Sequence, residues 1–119
     1  MKTEQIAKKL VDYCSHGDFE KAQKELYAED VVSIEPHESQ AFAKETKGLN
    51  AIIEKGHKFQ NMTEKVYGIK TSEPLITGNS FAVKMTMDMQ MKGQQRSNMD
   101  ELCVYNVKDG KIISEQFFM

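Results

Sequence analysis

Apolar side chains occupy every second position from Phe81 to Met91, in the segment FAVKMTMDMQM, and mostly polar residues separate them. An alternation of period two is the pattern of a β-strand that buries one of its faces. Further strand-like segments lie on both sides, bounded by the turn sequences PLITGN, KGQQ and KDGK. The second half of the chain therefore predicts an antiparallel meander with strands at residues 64–73, 79–92, 96–107 and 111–119.

The first sixty residues carry helical spacing instead. Apolar residues recur at three- and four-residue intervals over residues 3–17, and Gly17 provides a natural stop. Asp18 is placed to cap a second short helix that ends near residue 28. The sequence VVSIE, closed by Pro36, predicts a short strand, and a third helix is predicted from about residue 49 to 61. Residues 36–48 form a loop long enough to border a site.

Composition restricts the class of protein. The 119 residues fit one domain, and 16 basic against 18 acidic residues give a net charge of −2 without a basic block, so no nucleic-acid partner is expected. No apolar run reaches the roughly 18 residues of a membrane span. Cys14 and Cys103 lack metal-type spacing, and nothing near Met1 resembles a signal peptide, so we expect a cytoplasmic protein.

The segment GDFEKAQKELYAEDVVSIEP, followed by a helix, a long meander and the final DGKIISEQFF, resembles the SnoaL-like branch of the nuclear transport factor 2-like superfamily. The resemblance covers nearly the whole chain and implies one SnoaL-like domain over residues 1–119. It implies an α+β fold of the cystatin-like type, in which a cone-shaped, strongly bent antiparallel sheet packs on three helices. Its members include polyketide cyclases, dehydratases and ketosteroid isomerase, and also modules without catalytic activity, so the fold alone does not specify an activity.

The comparison with ketosteroid isomerase identifies one candidate base. Glu35, just before a proline, stands where that enzyme has its proton-shuttling carboxylate. The two oxyanion donors of the isomerase fall on Leu10 and Cys103, which cannot replace them. Such donors contribute roughly 3 to 4 kcal/mol each, so the comparison argues against steroid-type isomerisation and leaves Glu35 as a candidate base. The alternative for Glu35 is a glutamate turned outward at the end of a strand.

The last hairpin determines which side chains share a face. The sequence VKDGK predicts a three-residue loop with Gly110 in the left-handed conformation. This loop places odd-numbered residues of both strands on one face and pairs Tyr105 with Ile113, Cys103 with Glu115, and Glu101 with Phe117.

The resemblance places these odd-numbered residues on the concave face of the sheet, together with the row Met85, Met87, Met89 and Met91. Methionine is unbranched and polarisable, so a row of it suits either an adaptable core or a pocket for an apolar ligand, and both interpretations remain open. The candidate ligand-binding residues are His37, Met85, Met87, Met89, Met99, Cys103, Tyr105 and Phe117.

Glu101 and Glu115 are carboxylates at inward positions of otherwise apolar or aromatic strands. If they are buried near one another, desolvation and repulsion raise at least one pKa, as a general acid near neutral pH requires. The alternative is a position at the rim, paired with Lys70, Arg96 or Lys111. His37, a candidate ligand-binding residue, is alternatively a solvated loop residue without a role in binding. No metal motif is present, and no metal or other cofactor is expected.

Apolar residues also point away from the concave face, and an apolar patch on an open sheet needs a cover. Family members commonly dimerise through this surface, so a homodimer is expected. The predicted outer patch consists of Leu102, Val104, Ile112 and Phe118.

Two functional hypotheses follow. In the first, the domain is a cofactor-free acid–base enzyme of the isomerase, cyclase or dehydratase type on a small apolar substrate. Glu35 is then the base, Glu101 or Glu115 the acid, and Tyr105 orients the ligand. In the second, the domain is a non-catalytic ligand-binding or dimeric assembly module.

Overall fold

The structure is a computed structural model that describes all 119 residues. It contains three helices in the first half of the chain and seven strands. The elements are α1 (Thr3–Ser15), α2 (Phe19–Leu26), β1 (Tyr27–Ile34), β2 (Glu45–Lys47), α3 (Leu49–Met62), β3 (Thr63–Thr71), β4 (Leu75–Thr77), β5 (Ser80–Met91), β6 (Ser97–Lys108) and β7 (Lys111–Phe118).

All seven strands belong to one bent, unclosed sheet with the order β2-β1-β7-β6-β5-β3, and β4 pairs with β5 beside this path. The predicted α+β class and the meander from β5 to β7 are confirmed. The sheet is mixed rather than wholly antiparallel, because β1 runs parallel to β7. Two short strands were also missed, β2 in the predicted loop and β4 in the predicted PLITGN turn.

The corner between α1 and α2 is closed by the backbone. Gly17 has a φ of 77°, and the N–H groups of Gly17 and Asp18 donate to the carbonyls of Cys14 and Tyr13. This left-handed glycine after the last helical turn agrees with the predicted stop. Asp18 precedes α2 as predicted, but its side chain makes no capping hydrogen bond.

The turn between β6 and β7 differs from the predicted three-residue loop. Asp109 and Gly110 both have positive φ values, 52° and 76°, and form a two-residue turn between the paired Lys108 and Lys111. Two left-handed residues give the turn a twist that matches the strands, as in type I′ hairpins. The predicted strand pairs are therefore wrong by two residues. The observed pairs are Tyr105 with Glu115 and Cys103 with Phe117.

A bulge nevertheless keeps the odd-numbered residues on one face. Val107 pairs with Ile112 and Asn106 with Ser114, so β7 contains one additional residue at this point. An additional residue reverses the side-chain alternation beyond it. Ile112 is therefore fully buried instead of lying in the predicted outer patch, and Glu115 still points inward with Tyr105.

The core lies between the helices and the concave face of the sheet. Its 18 buried apolar residues include Ile6 of α1, Leu26 of α2 and Ile52 of α3. From β5 it takes the alternating residues Phe81, Val83, Met85, Met87 and Met89. The alternation of apolar residues that predicted β5 therefore matches the alternation of buried side chains along this strand.

Truncation of the two neighbouring isoleucines of β7 tests the bulge. Ile112→Ala should lower the free energy of unfolding by about 2 to 5 kcal/mol, because it opens a cavity in the core. Ile113→Ala should cost clearly less, since Ile113 is only partly buried. Urea denaturation of both variants measures the difference. An equal or larger loss for Ile113→Ala would contradict the observed register.

Candidate active site

Glu115 lies in the interior with 3% of its surface exposed. The parallel pairing of β1 with β7 places Ser33 directly beside it, and Ser33 Oγ donates to Glu115 Oε2 at 2.6 Å. The hydroxyl of Tyr27, at the start of β1, donates to Glu115 Oε1. Both carboxylate oxygens therefore accept a hydroxyl hydrogen bond.

Burial raises the pKa of Glu115 above its ordinary value, and the charge of Glu35 adds to the rise. The two hydroxyl hydrogen bonds and the charge of Lys55 oppose this effect without cancelling it. Desolvation disfavours the charged form of a carboxyl group, and the donors recover only part of the lost hydration. Glu115 is therefore a carboxyl group that holds its proton more tightly than an exposed glutamate.

Lys55 of α3 connects Ser33, a hydrogen-bond partner of Glu115, to Glu35. Its Nζ donates to Ser33 Oγ at 2.8 Å and to Glu35 Oε1 at 3.3 Å. The Lys55 side chain is 15% exposed and that of Glu35 is 25% exposed. Since Ser33 accepts from Lys55 and donates to Glu115, a continuous hydrogen-bonded chain links Tyr27, Glu115, Ser33, Lys55 and Glu35.

Glu101 of β6 is the third carboxyl group of the cluster. It is partly buried opposite Met85, and burial is the main reason that its pKa rises to about 7. The charges of Glu35 and Glu115 raise this pKa further, while a hydrogen bond from Cys103 Sγ, 3.8 Å from Glu101 Oε1, and the charge of Lys55 lower it. At neutral pH Glu101 is therefore divided between its acid and its base form.

The neighbouring thiols and phenols are neutral. Burial raises the pKa of Cys14 to about 12 and that of Cys103 still further, and carboxylates add to both effects. Burial also raises the pKa values of Tyr27 and Tyr105 well above the ordinary value. None of the four forms an anion near neutral pH, which argues against Cys103 as a nucleophile.

The three predicted catalytic carboxylates thus lie within electrostatic range of one another. Neither Glu101 nor Glu115 pairs with the basic residues of the rim alternative. Arg96 binds Asp88 at 2.7 Å, Lys111 donates to the Glu25 carbonyl, and Lys70 makes no ion pair.

The other predicted site residues divide into three groups. Cys103 and Tyr105 are buried beside the carboxylates, and the Tyr105 ring stacks on Phe81 with centroids 4.8 Å apart. His37 is exposed in the loop after β1 and makes no hydrogen bond. The remaining residues are buried in the core or packed against it, namely Met85, Met87, Met89, Met99 and Phe117. A pocket lined by these methionines therefore stays a prediction.

An open depression of about 380 Å³ lies between α3 and the loop that joins β1 to β2. Lys55 lines it and also belongs to the hydrogen-bonded chain. Its lining residues are Ala41, Phe42, Ala43, Thr46, Ala51, Glu54, Lys55 and Lys58.

Sequence reasoning missed Ser33, Lys55 and Tyr27. Ser33 alternates with Val31 and Glu35, so strand periodicity alone could have placed it inward. Lys55 follows Ile52 by three residues on the apolar side of α3, where a lysine is unusual. Tyr27 gives no such signal, because its contact with Glu115 depends on a pairing between strands 88 residues apart.

The pKa of Glu101 predicts how stability depends on pH. The folded state binds this proton more tightly than the unfolded chain, so its contribution to stability is complete below about pH 4.5 and is lost as pH rises through about 7. The loss is at most about 3 kcal/mol. Glu101→Gln should remove this loss and flatten the plot of unfolding free energy against pH, measured by urea denaturation. Glu64→Gln on exposed β3 should leave the plot unchanged. Parallel curves for wild type and Glu101→Gln would contradict the assignment.

No helix of the structure has the length and apolarity to cross a membrane, and no group of three or more His, Cys, Asp or Glu is arranged as a metal site. A search of curated proteins found no significant match.

The family model of the SnoaL-like domain matches residues 1–119. A protein from Mesorhizobium loti with a provisional assignment as a SnoaL-like polyketide cyclase is 30% identical, with 100% of both chains covered and a TM-score of 0.92. A protein of cystatin-like fold from Xanthomonas campestris is 20% identical, with a TM-score of 0.83 and 99% and 90% of the two chains covered. TerC, crystallised with polyporic acid, is 14% identical, with a TM-score of 0.80 and 99% and 92% covered. The chain belongs to the SnoaL-like family and has a cystatin-like, nuclear transport factor 2-like α+β fold.

Proposed function

We propose that this domain binds a small, largely apolar molecule and catalyses acid–base chemistry on it without a cofactor. The observation that carries the proposal is that Lys55 contacts Glu35 directly and Glu115 through Ser33, while its charge also acts on Glu101. A structural ion pair needs no such excess of carboxyl groups, and each additional buried carboxyl group costs desolvation energy. Perturbed carboxyl groups that meet in this way are typical of sites that transfer protons.

The two kinds of carboxyl group have different roles in the proposal. Glu35, at the exposed end of the hydrogen-bonded chain, accepts a proton from a C–H group of the ligand. Glu101, which still holds a proton in part at neutral pH, donates that proton to the ligand oxygen on which negative charge develops. The bound carbonyl compound becomes an enol, and return of the protons completes an isomerisation or prepares a cyclisation. Glu115 is the second acid, and Tyr105 orients the ligand.

The relatives agree with a small-molecule ligand. The Mesorhizobium loti protein has a provisional cyclase assignment, and TerC was crystallised with polyporic acid. The adaptable side chains of the methionine row suit an apolar ligand of irregular shape.

The second candidate function is a non-catalytic ligand-binding or assembly module. The observation that favours it is the burial of Met85, Met87 and Met89, which are 6%, 7% and 1% exposed and pack within the core cluster. In this case the methionine row is a core, and the carboxyl groups have no catalytic role.

Native mass spectrometry of protein purified without added ligand, followed by incubation in D₂O, separates the two functions. If the domain is an enzyme, the protein should carry a small molecule, and deuterium should appear at a C–H position of that molecule. Glu35→Gln and Glu101→Gln should each slow this exchange by roughly 100-fold or more, because each removes a proton-transfer group. Glu64→Gln should leave the rate unchanged. A protein that carries no molecule, or that returns it undeuterated, contradicts the enzyme and favours the module.

We propose that the domain forms a homodimer through the outer face of the sheet. Leu102 and Phe118 are neighbours on paired strands and are 44% and 47% exposed. Val104 and Leu75 extend the same face, because both flank Ala82 in the register of the sheet. Exposed apolar side chains that are contiguous across strands favour a partner surface. A cytoplasmic location, suggested by two free cysteines, stays a prediction.

Light scattering at micromolar concentration tests the dimer. Wild type should have twice the chain mass of 13.6 kDa, and Leu102→Lys should shift the protein to the monomer by burying a charge at the centre of the interface. Val66→Lys, on edge strand β3 outside the patch, should remain dimeric. A monomeric wild type, or dissociation by Val66→Lys alone, would contradict the proposed interface.

A further inference from the structure

We propose that Ser33 is a proton relay that carries protons between the buried carboxyl group of Glu115 and the partly exposed pair of Lys55 and Glu35. Ser33 itself contacts no ligand in this proposal and acts through Glu115. The use of the relay in catalysis rests on the proposed function, because there Glu115 is the second acid and must regain the proton that it donates.

Glu115 needs a route for its protons because the interior separates it from solvent. Only 3% of its surface is exposed, and both of its carboxylate oxygens accept hydroxyl hydrogen bonds. The Tyr27 hydroxyl donates to Oε1, but Tyr27 is itself only 5% exposed and its hydroxyl makes no other hydrogen bond to the protein. This branch therefore ends in the interior. The Ser33 branch continues to further polar groups and is the route that leads outward.

The Ser33 branch has the order of donors that a relay requires. A lysine ammonium group only donates, so Ser33 Oγ accepts from Lys55 Nζ, at 2.8 Å. The single hydrogen of the Ser33 hydroxyl is then free for Glu115 Oε2, at 2.6 Å. Both hydrogens therefore point toward the carboxylate, across two direct hydrogen bonds. At the outer end, Lys55 Nζ lies 3.3 Å from Glu35 Oε1, and the Lys55 and Glu35 side chains are 15% and 25% exposed.

Proton uptake by ionised Glu115 takes place in two coupled transfers. The Ser33 O–H bond breaks as its hydrogen bonds to Glu115 Oε2, and one Lys55 N–H bond breaks as its hydrogen bonds to Ser33 Oγ. The products are a neutral carboxylic acid, an intact serine hydroxyl and a neutral lysine amine. Uncharged groups avoid the desolvation cost that a buried ion pair carries. Lys55 then regains a proton from water through Glu35, the more exposed of the two, and the reverse sequence releases the proton of Glu115.

Time-resolved infrared spectroscopy after a light-induced drop in pH tests the relay, with a photoacid as the proton source and no ligand present. The protein starts at a pH at which Glu115 is ionised. Proton uptake is followed by the C=O stretching band of protonated Glu115, which is identified by its loss in Glu115→Gln. Ser33→Ala should slow the growth of this band by about tenfold or more, because a positioned proton donor is removed. Ser33→Thr, which retains the hydroxyl group, should take up protons at nearly the wild-type rate.

Tyr27→Phe is the matched control, because it also removes one hydroxyl hydrogen bond to Glu115 but leaves the Ser33 branch intact. It should keep the wild-type rate of proton uptake. Lys55→Met breaks the relay at its next link and should slow uptake as Ser33→Ala does, which supplies the test if Ser33→Ala does not fold.

The relay is overturned if Ser33→Ala, or Lys55→Met in its place, takes up protons at the wild-type rate. It is also overturned if Tyr27→Phe slows uptake as much as Ser33→Ala does, because the effect then comes from the loss of any hydrogen bond to Glu115. The measurement uses no ligand, so its result is independent of deuterium exchange on a bound molecule, and the two proposals fail separately.

Discussion

The burial of the Glu115 carboxyl group between β1 and β7 is the constraint on which the rest of the site depends. An ionised carboxylate without partners is very costly in an apolar interior. Hydroxyl groups near the two ends of β1, those of Tyr27 and Ser33, donate hydrogen bonds to Glu115 and offset part of this cost. Burial also raises the pKa of Glu115, which favours its neutral form. Both donors are available because β1 runs parallel to β7 and because the bulge in β7 turns Glu115 inward.

From Glu115 the polar contacts lead outward in a defined order. Ser33 uses its hydroxyl group in both directions, so Lys55 is fixed relative to the buried carboxyl group. Lys55 in turn donates to the partly exposed Glu35, and its positive charge lowers the pKa of Glu101. Substitution of Glu35, Glu115 or Lys55 therefore changes the charge that acts on Glu101. The pKa values of Glu101 and Glu115 both depend on the charges of Glu35 and Lys55.

The comparison with ketosteroid isomerase is informative for what this chain lacks. The residues at its two oxyanion-donor positions are Leu10 and Cys103, and burial keeps the Cys103 thiol neutral. Charge stabilisation, where the ligand needs it, must come from groups that the isomerase comparison does not identify. In the proposed function, Glu101 is the group that meets this requirement.

The sequence predicted the local features well, and the long-range ones less well. The alternation from Phe81 to Met91 predicted β5 and its buried face, since both follow from a single period. The parallel pairing of β1 with β7 could not be predicted from either strand, because it joins segments about 80 residues apart. The two-residue turn at Asp109 and the bulge beyond it were missed together, and their effects on side-chain direction cancel.

In the candidate site, too, the individual residues were predictable from the sequence and the contacts between distant segments were not. The family resemblance and strand periodicity identified Glu35, Glu101 and Glu115 as separate candidates. Their mutual influence became visible only in the folded chain, together with Lys55, which a helix brings to them. A polar residue on an apolar stripe, such as Lys55 or Ser33, was the available signal for the rest of the network.

The most direct test of the account is a pH titration of the side-chain carboxyl carbons of ¹³C-labelled glutamate by NMR, with Glu101→Gln and Glu115→Gln used for assignment. The account predicts that one carboxyl group, Glu101, titrates near pH 7 and that burial raises the pKa of Glu115 above the ordinary value of a glutamate. Titration of both groups together with the exposed glutamates would show that no buried, proton-holding cluster exists, and would contradict the proposed chemistry.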